Sequence, residues 1–110
     1  MISRELLSEV IGTSERDVRL SNNTLICLVG NGSEYRVNIY ELQNLCKEWA
    51  FSLGYQLHSY YNDMGNVEYS DCKIWFRDNI VWSMVDTDIT STEPEAVFKA
   101  CQWILENKEN

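Results

Sequence analysis

What this chain has little of already narrows what it can be. One proline and five glycines in 110 residues are too few for a collagenous, linker-like or repetitive chain, and no segment repeats another. Nine Lys and Arg stand against seventeen Asp and Glu, a formal charge of −8. Such a surface repels phosphate backbones, so direct nucleic-acid binding is not expected. Acidity serves solubility first; a sharper reading is an acidic decoy for a basic protein surface. No apolar run approaches the roughly 20 residues that cross a bilayer, so no membrane association is expected. Met1 to Ile11 is interrupted by Arg4, Glu5 and Glu9 where a secretory leader would be apolar.

The four cysteines, Cys27, Cys46, Cys72 and Cys101, contain no CxxC pair, which excludes a zinc ribbon or a dithiol redox motif drawn from spacing. Each sits among apolar neighbours. Without a leader, reduced and buried thiols in a cytoplasmic protein are the expectation.

What is present is apolar mass. A hydrophobic fraction of 45%, with four Trp, six Tyr and three Phe, suffices for one core, and the length suits one domain, residues 1–110. Leu6, Leu7, Val10 and Ile11 recur at helical spacing, with Gly12 placed to end a short helix. Thr24 to Val29 reads as a strand closed by Gly30-Asn31-Gly32. Val18 and Leu20 suggest an earlier short strand, and Tyr35 to Val37 an antiparallel return. Asn38, with Glu41 in capping-box position, starts a second helix that Gly54 stops; Ile39, Leu42, Leu45, Cys46, Trp49, Ala50 and Leu53 form its apolar face.

A three-stranded meander follows: Tyr55 to Asn62, Val67 to Phe76 and Ile80 to Val85, turned at Met64-Gly65-Asn66 and Arg77-Asp78-Asn79. Alternation assigns Cys72, Ile74 and Phe76, together with Ile80, Trp82 and Met84, to the core face, leaving Trp75 and Val81 outside. The last helix has Thr92 as cap, Pro94 in the first turn and Glu95 completing a box, then an apolar stripe from Val97 to Leu105. The sum is an α+β fold, a two-layer sandwich with a mainly antiparallel sheet of about four to five strands and helices on one face.

Chemistry is sparse. His58 is the only histidine, and alternation turns it outward with Gln56 and Tyr60, with no Ser or Cys nucleophile tied to it by motif. Asp86 and Asp88 precede Thr90, Thr92, Glu93 and Glu95 without the spacing of a calcium loop, so helix capping and solvation explain them. Asp63, Glu68 and Asp71 read the same way. Gly30-Asn31-Gly32-Ser33 lacks both the GxGxxG form and a GK[ST] ending, so a hairpin turn accounts for it better than a phosphate loop. No catalytic residue, metal or cofactor is expected. The aromatic density between Tyr55 and Trp82 stands out, since Tyr and Trp dominate protein interfaces. Tyr60, Tyr61, Tyr69, Trp75 and Trp82 are the candidate interaction residues.

Asn38-Ile39-Tyr40-Glu41-Leu42 with Cys46-Lys47-Glu48-Trp49-Ala50, and the stretch from Glu93 to Leu105, resemble segments of small proteins of unknown function encoded in bacterial and prophage genomes. The resemblance covers about a third of the chain and brings no catalytic residue with it. It implies a context in which small acidic proteins bind a host or phage protein, some of them as inhibitors of defence nucleases. The expectation is a small non-enzymatic accessory or modulator that binds another protein through its aromatic sheet face or acidic surface. Self-association through that face or a strand edge is a further possibility. The rival is a small-ligand binder or enzyme with a pocket near His58, Tyr60 and Asp86.

Overall fold

The structure is a computed structural model and describes residues 2–15, 18–21, 24–28, 33–64, 67–78, 80–87, 90 and 92–108; the side chains of residues 28, 61–64, 67–69 and 78 lie outside that description. Chain order is α1 (Arg4–Ile11), β1 (Val18–Ser21), β2 (Thr24–Leu28), β3 (Glu34–Asn38), α2 (Ile39–Ser52), β4 (Tyr55–Met64), β5 (Val67–Asp78), β6 (Val81–Asp86) and α3 (Glu93–Asn107). This is the α+β class expected. Among the described residues the strands number six rather than four to five, and they form two three-stranded antiparallel sheets, β1-β2-β3 and β4-β5-β6. The division has a local cause. Asn38 ends β3 and at once caps α2, its side chain accepting from the amides of Tyr40 and Glu41, so the chain leaves the first sheet as a 14-residue helix and begins the second only at Tyr55.

Both sheets and all three helices feed one hydrophobic cluster. Its buried members include Leu6 and Leu7 of α1, Val18, Leu25, Cys27 and Val37 of the first sheet, Leu42, Cys46 and Ala50 of α2, Cys72 and Ile74 of β5, and Val97, Cys101 and Ile104 of α3. The helix ends follow their sequence cues. Ser3 accepts from the Leu6 amide at the start of α1, and Gly12 closes that helix at φ 80°, a left-handed conformation that costs glycine little. Thr92 accepts from the Glu95 amide at the start of α3, with Pro94 in the first turn. Leu53 is the C-cap of α2, and Gly54 follows at φ 92°.

In the second sheet the register is Tyr55↔Phe76, Leu57↔Ile74 and Ser59↔Cys72 between β4 and β5, and Ile74↔Val85 and Phe76↔Ser83 between β5 and β6. Those positions face α2 and α3. Cys72, Ile74 and Phe76 are therefore on the covered side as expected. Ile80, Trp82 and Met84 are not: they are 84%, 48% and 42% exposed, and Ile80 lies in the turn before β6. Asp78 pairs with Val81, leaving two residues in the connection, and that count fixes which parity of β6 shares a face with the even-numbered residues of β5. The covered side of β6 thus holds Ser83 and Val85, although the alternate set is more apolar. Trp75 lies on the open side as expected, half-buried; Val81 is exposed, but the register sets it on the same side of β6 as Ser83 and Val85 and not with Trp75.

The Cα framework measures 44 × 41 × 17 Å, a flat body one helix layer and one sheet layer thick. No helix among the described residues is long and apolar enough to cross a membrane.

Candidate functional site

The outward positions of β4, β5 and β6 form the open face of the second sheet. In register, Gln56 lies beside Trp75 and Trp75 beside Met84; His58 lies beside Lys73, Tyr60 beside Asp71 and Arg77 beside Trp82. On this face Gln56, His58, Tyr60, Trp75 and Trp82 line a shallow trough of about 370 Å³. Two of its rings meet, the His58 imidazole standing edge-on to Trp75 with centroids 6.5 Å apart, and the neighbouring Lys73 ammonium sits 5.4 Å from the Tyr60 centroid. Tyr60 is 42% exposed and Trp75 half-buried.

Three of the five candidate interaction residues, Tyr60, Trp75 and Trp82, are thus brought together, and the side chains of Tyr61 and Tyr69 lie outside the described residues. His58 and Gln56 complete the trough; strand alternation turns both outward but assigns neither a role. No side chain lining it carries a charge at pH 7 with His neutral, on a chain whose formal charge is −8. None of the five makes a side-chain hydrogen bond among the described residues. That is a set of unengaged donors over an aromatic floor, since Trp, Tyr, Gln and His all offer N–H or O–H groups.

The residues of the rival pocket border different hollows, although Asp86 pairs with Lys73 in the same cross-strand row as His58. His58 and Tyr60 line the trough, whereas Asp86 borders a separate cleft of about 320 Å³ against α3, with Thr87, Lys99 and Gln102. His58 has no carboxylate or nucleophile as hydrogen-bond partner among the described residues, so nothing there orients it for proton transfer. A third cleft, about 680 Å³, opens at the end of the sandwich where the rings of Tyr55, Phe76 and Trp103 meet at 5.7 to 6.5 Å. Its polar groups, Arg77, Asn107 and Lys108, contain no acid–base pair.

The acidic loop after β6 turns out to be a stitch. Thr87 Oγ1 donates to the Cys72 carbonyl at 2.9 Å and accepts from the Cys72 amide, and Thr90 exchanges two backbone hydrogen bonds with Ser70. These contacts continue the pairing of β5 past the end of β6. Asp88 and Gly30 to Gly32 lie outside the described residues. Of the other acids, Asp71 is half-buried with one carboxylate oxygen covered and unpartnered among the described residues. No group of three His, Cys, Asp or Glu among them could hold a metal ion.

One polar cluster has no counterpart in the sequence reading. Lys47 Nζ donates to Ser59 Oγ at 3.0 Å, Ser59 Oγ donates to Glu93 Oε1 at 2.6 Å, and Gln43 Nε2 donates to the same oxygen at 2.9 Å. Lys47 also lies 3.8 Å from Glu93. The cluster pins α2, β4 and the start of α3 together under the sheet, and it explains why Gln43 is buried. No helical or strand periodicity could reveal it, because its members come from three elements.

All four cysteines are buried and unpaired. Burial pushes Cys27 up and raises Cys72 from the ordinary 9.0 to about 12, while hydrogen bonding with Cys46, and then burial, raise Cys101. Because all four are buried, the native thiols should react slowly with a disulfide reagent at neutral pH and all four should react after unfolding, as thiol titration with and without denaturant would measure. The same shifts govern alkaline stability. The unfolded chain gives up these protons from about pH 9, whereas folded Cys72 holds its proton to about 12. Stability is intact below that window and falls as pH rises through it, with Cys72 contributing a slope of up to about 1.4 kcal/mol per pH unit. Urea midpoints between pH 8 and 11 that do not move would contradict this.

Comparison of the chain with protein-family models, with curated proteins and with solved structures finds no match to any of them.

Proposed function

We propose that this chain is a small non-enzymatic protein that acts by binding another protein through the open face of β4, β5 and β6. It would serve as an accessory or modulator of the kind mobile elements carry. The observation that supports this reading is the uncovered aromatic trough of Tyr60, Trp75 and Trp82 on a sheet whose other face is packed under helices. Exposed, clustered Trp and Tyr are the side chains that contribute most per residue to protein interfaces. A nucleic acid fits the face less well, because base stacking on such platforms goes with a cationic groove. Here the cations on the face, Lys73 and Arg77, are interspersed with Asp71, and the chain is strongly acidic.

The experiment is a comparative capture from host lysate using three baits: the wild type, Tyr60→Ala with Trp75→Ala, and Tyr40→Ala. Tyr40 is 69% exposed on α2, away from the sheet face. A protein held by wild type and by Tyr40→Ala but lost by the double variant is expected. Retention by a folded double variant would move binding elsewhere, and capture of nothing at low salt would remove the reading.

A further inference from the structure

We infer that the free edge of β6 is the surface through which two copies of this chain pair, antiparallel about a two-fold axis, so that their second sheets join into one continuous sheet. The ladder shows which groups that edge presents. β6 has β5 on one side and, among the described residues, no strand on the other. The Thr87 amide donates to the Cys72 carbonyl at 3.2 Å, in step with the Lys73↔Asp86 register, and bonded positions recur at every second residue of an antiparallel strand. Ser83 and Val85 therefore bond to β5, while the amide and carbonyl groups of Trp82, Met84 and Asp86 point to the free edge. Four of the nine large apolar side chains exposed among the described residues fall between Ile80 and Met84, so this edge combines backbone groups with apolar surface. The other edges are guarded. β1 carries the exposed Arg19, β3 carries the exposed pair Glu34 and Arg36, and Lys47 of α2 reaches across to Ser59 of β4. β6 has no proline and no charge before Asp86, and charges and prolines are what blunt a strand edge that stays single.

The occupant is a second copy because the edge is complementary to itself. Bonding positions must meet bonding positions, so Trp82, Met84 and Asp86 can only oppose members of the same set across the axis. An axis through Ser83 sets Trp82 against the partner's Met84 twice over, an aromatic ring against a flexible thioether, on the open side. On the helix side it sets Val81 against the partner's Val85. An axis through Asp86 would instead oppose two carboxylates. With the axis at Ser83 both sides of the joint are apolar and each contact occurs twice, as an isologous interface requires. A joint between six-residue strands is small beside the roughly 1,600 Å² of a standard interface, so the dimer is weak and forms at high protein concentration. Its salt dependence is fixed as well. Each chain carries −8 while Val81 to Val85 carries no charge, so salt that screens the repulsion between copies strengthens the pairing. Tyr60 and Trp75, which the protein-binding reading uses, lie outside the joint, and either proposal can fail without the other.

The test is sedimentation of the intact protein from micromolar to millimolar concentration, at low and at high salt. The mass should rise from one chain to two and stop there, and the rise should come at lower concentration in high salt. Ser83→Cys reads the register. On the axis the two Cα atoms stand about 4.5 Å apart, within reach of a disulfide. Because the native thiols are all buried, oxidised glutathione should trap a covalent dimer of this variant and not of Tyr40→Cys. Trp82→Lys combined with Met84→Lys should weaken self-association by about ten-fold or more, through like charges set opposite each other. Trp82→Glu combined with Met84→Glu should do the same, and mixing the two double variants should restore a dimer. Dispersed spectra establish that each variant has folded. An unvarying monomer at millimolar concentration overturns the inference, as does a dimer that salt weakens, a dimer that both double variants keep, or a mixture of them that stays monomeric. Stacking of two open faces would give a dimer that Ser83→Cys does not trap, since Ser83 lies on the other side of the sheet, and growth past two chains would mean a head-to-tail contact. Either result overturns it too.

Discussion

Replacing Ile74 with alanine should cost this protein about 2–5 kcal/mol, the largest loss expected from truncating a single side chain. Ile74 is fully buried at the middle of β5, with Leu57 and Val85 in register on either side and the helix layer above. Its removal takes apolar atoms out of a packed site whose neighbours belong to three different elements and cannot all close in together. The loss is therefore a transfer term plus a cavity term. For a domain whose total stability is of the order of 5–15 kcal/mol, much of the margin disappears. Urea denaturation should show a lower midpoint with an unchanged slope. A loss under about 1 kcal/mol would mean that the helix layer does not rest on β5.

The second large effect comes from a pair of lysines. Val85→Lys should lower stability by about 2–4 kcal/mol, because Val85 is half-buried against the hydrophobic cluster and a lysine there drives an ammonium group toward apolar side chains. Trp82→Lys should stay within about 1 kcal/mol of wild type, since Trp82 is 48% exposed on the open face and has no side-chain hydrogen bond to lose among the described residues. The two residues are three apart on one strand and differ in which side they face. The opposite ranking in thermal or urea unfolding would shift β6 by one residue against β5, away from the Ile74↔Val85 register. That outcome would also take Trp82 out of the trough, so the stability measurement bears directly on the binding surface.

How far these features are legible in the chain depends on the range of the interactions that make them. Helix starts are legible at Asn38 and Thr92 because a cap joins residues two or three apart. Outward placement of His58 and Tyr60 with Gln56 is legible because β4 alternates against a single neighbour. The face of β6 is not, because the apolar alternation of Ile80, Trp82 and Met84 points one way and the two-residue connection at Asp78↔Val81 decides the other. Apolarity marks the buried side only when the outward side is meant for water, and here the outward side carries its own aromatic cluster. The misassigned face and the candidate site therefore have the same origin.

Local propensity, patterning and composition were enough for the class of the fold, most element positions and the burial of the four thiols. They did not reach the division of six strands into two sheets. Nor did they bring Gln43, Lys47, Ser59 and Glu93 into one polar cluster, or Tyr60, Trp75 and Trp82 into one trough with Gln56 and His58. Those arrangements depend on strand register and on where a helix crosses a sheet, and both are settled by packing between segments tens of residues apart, which no local pattern encodes.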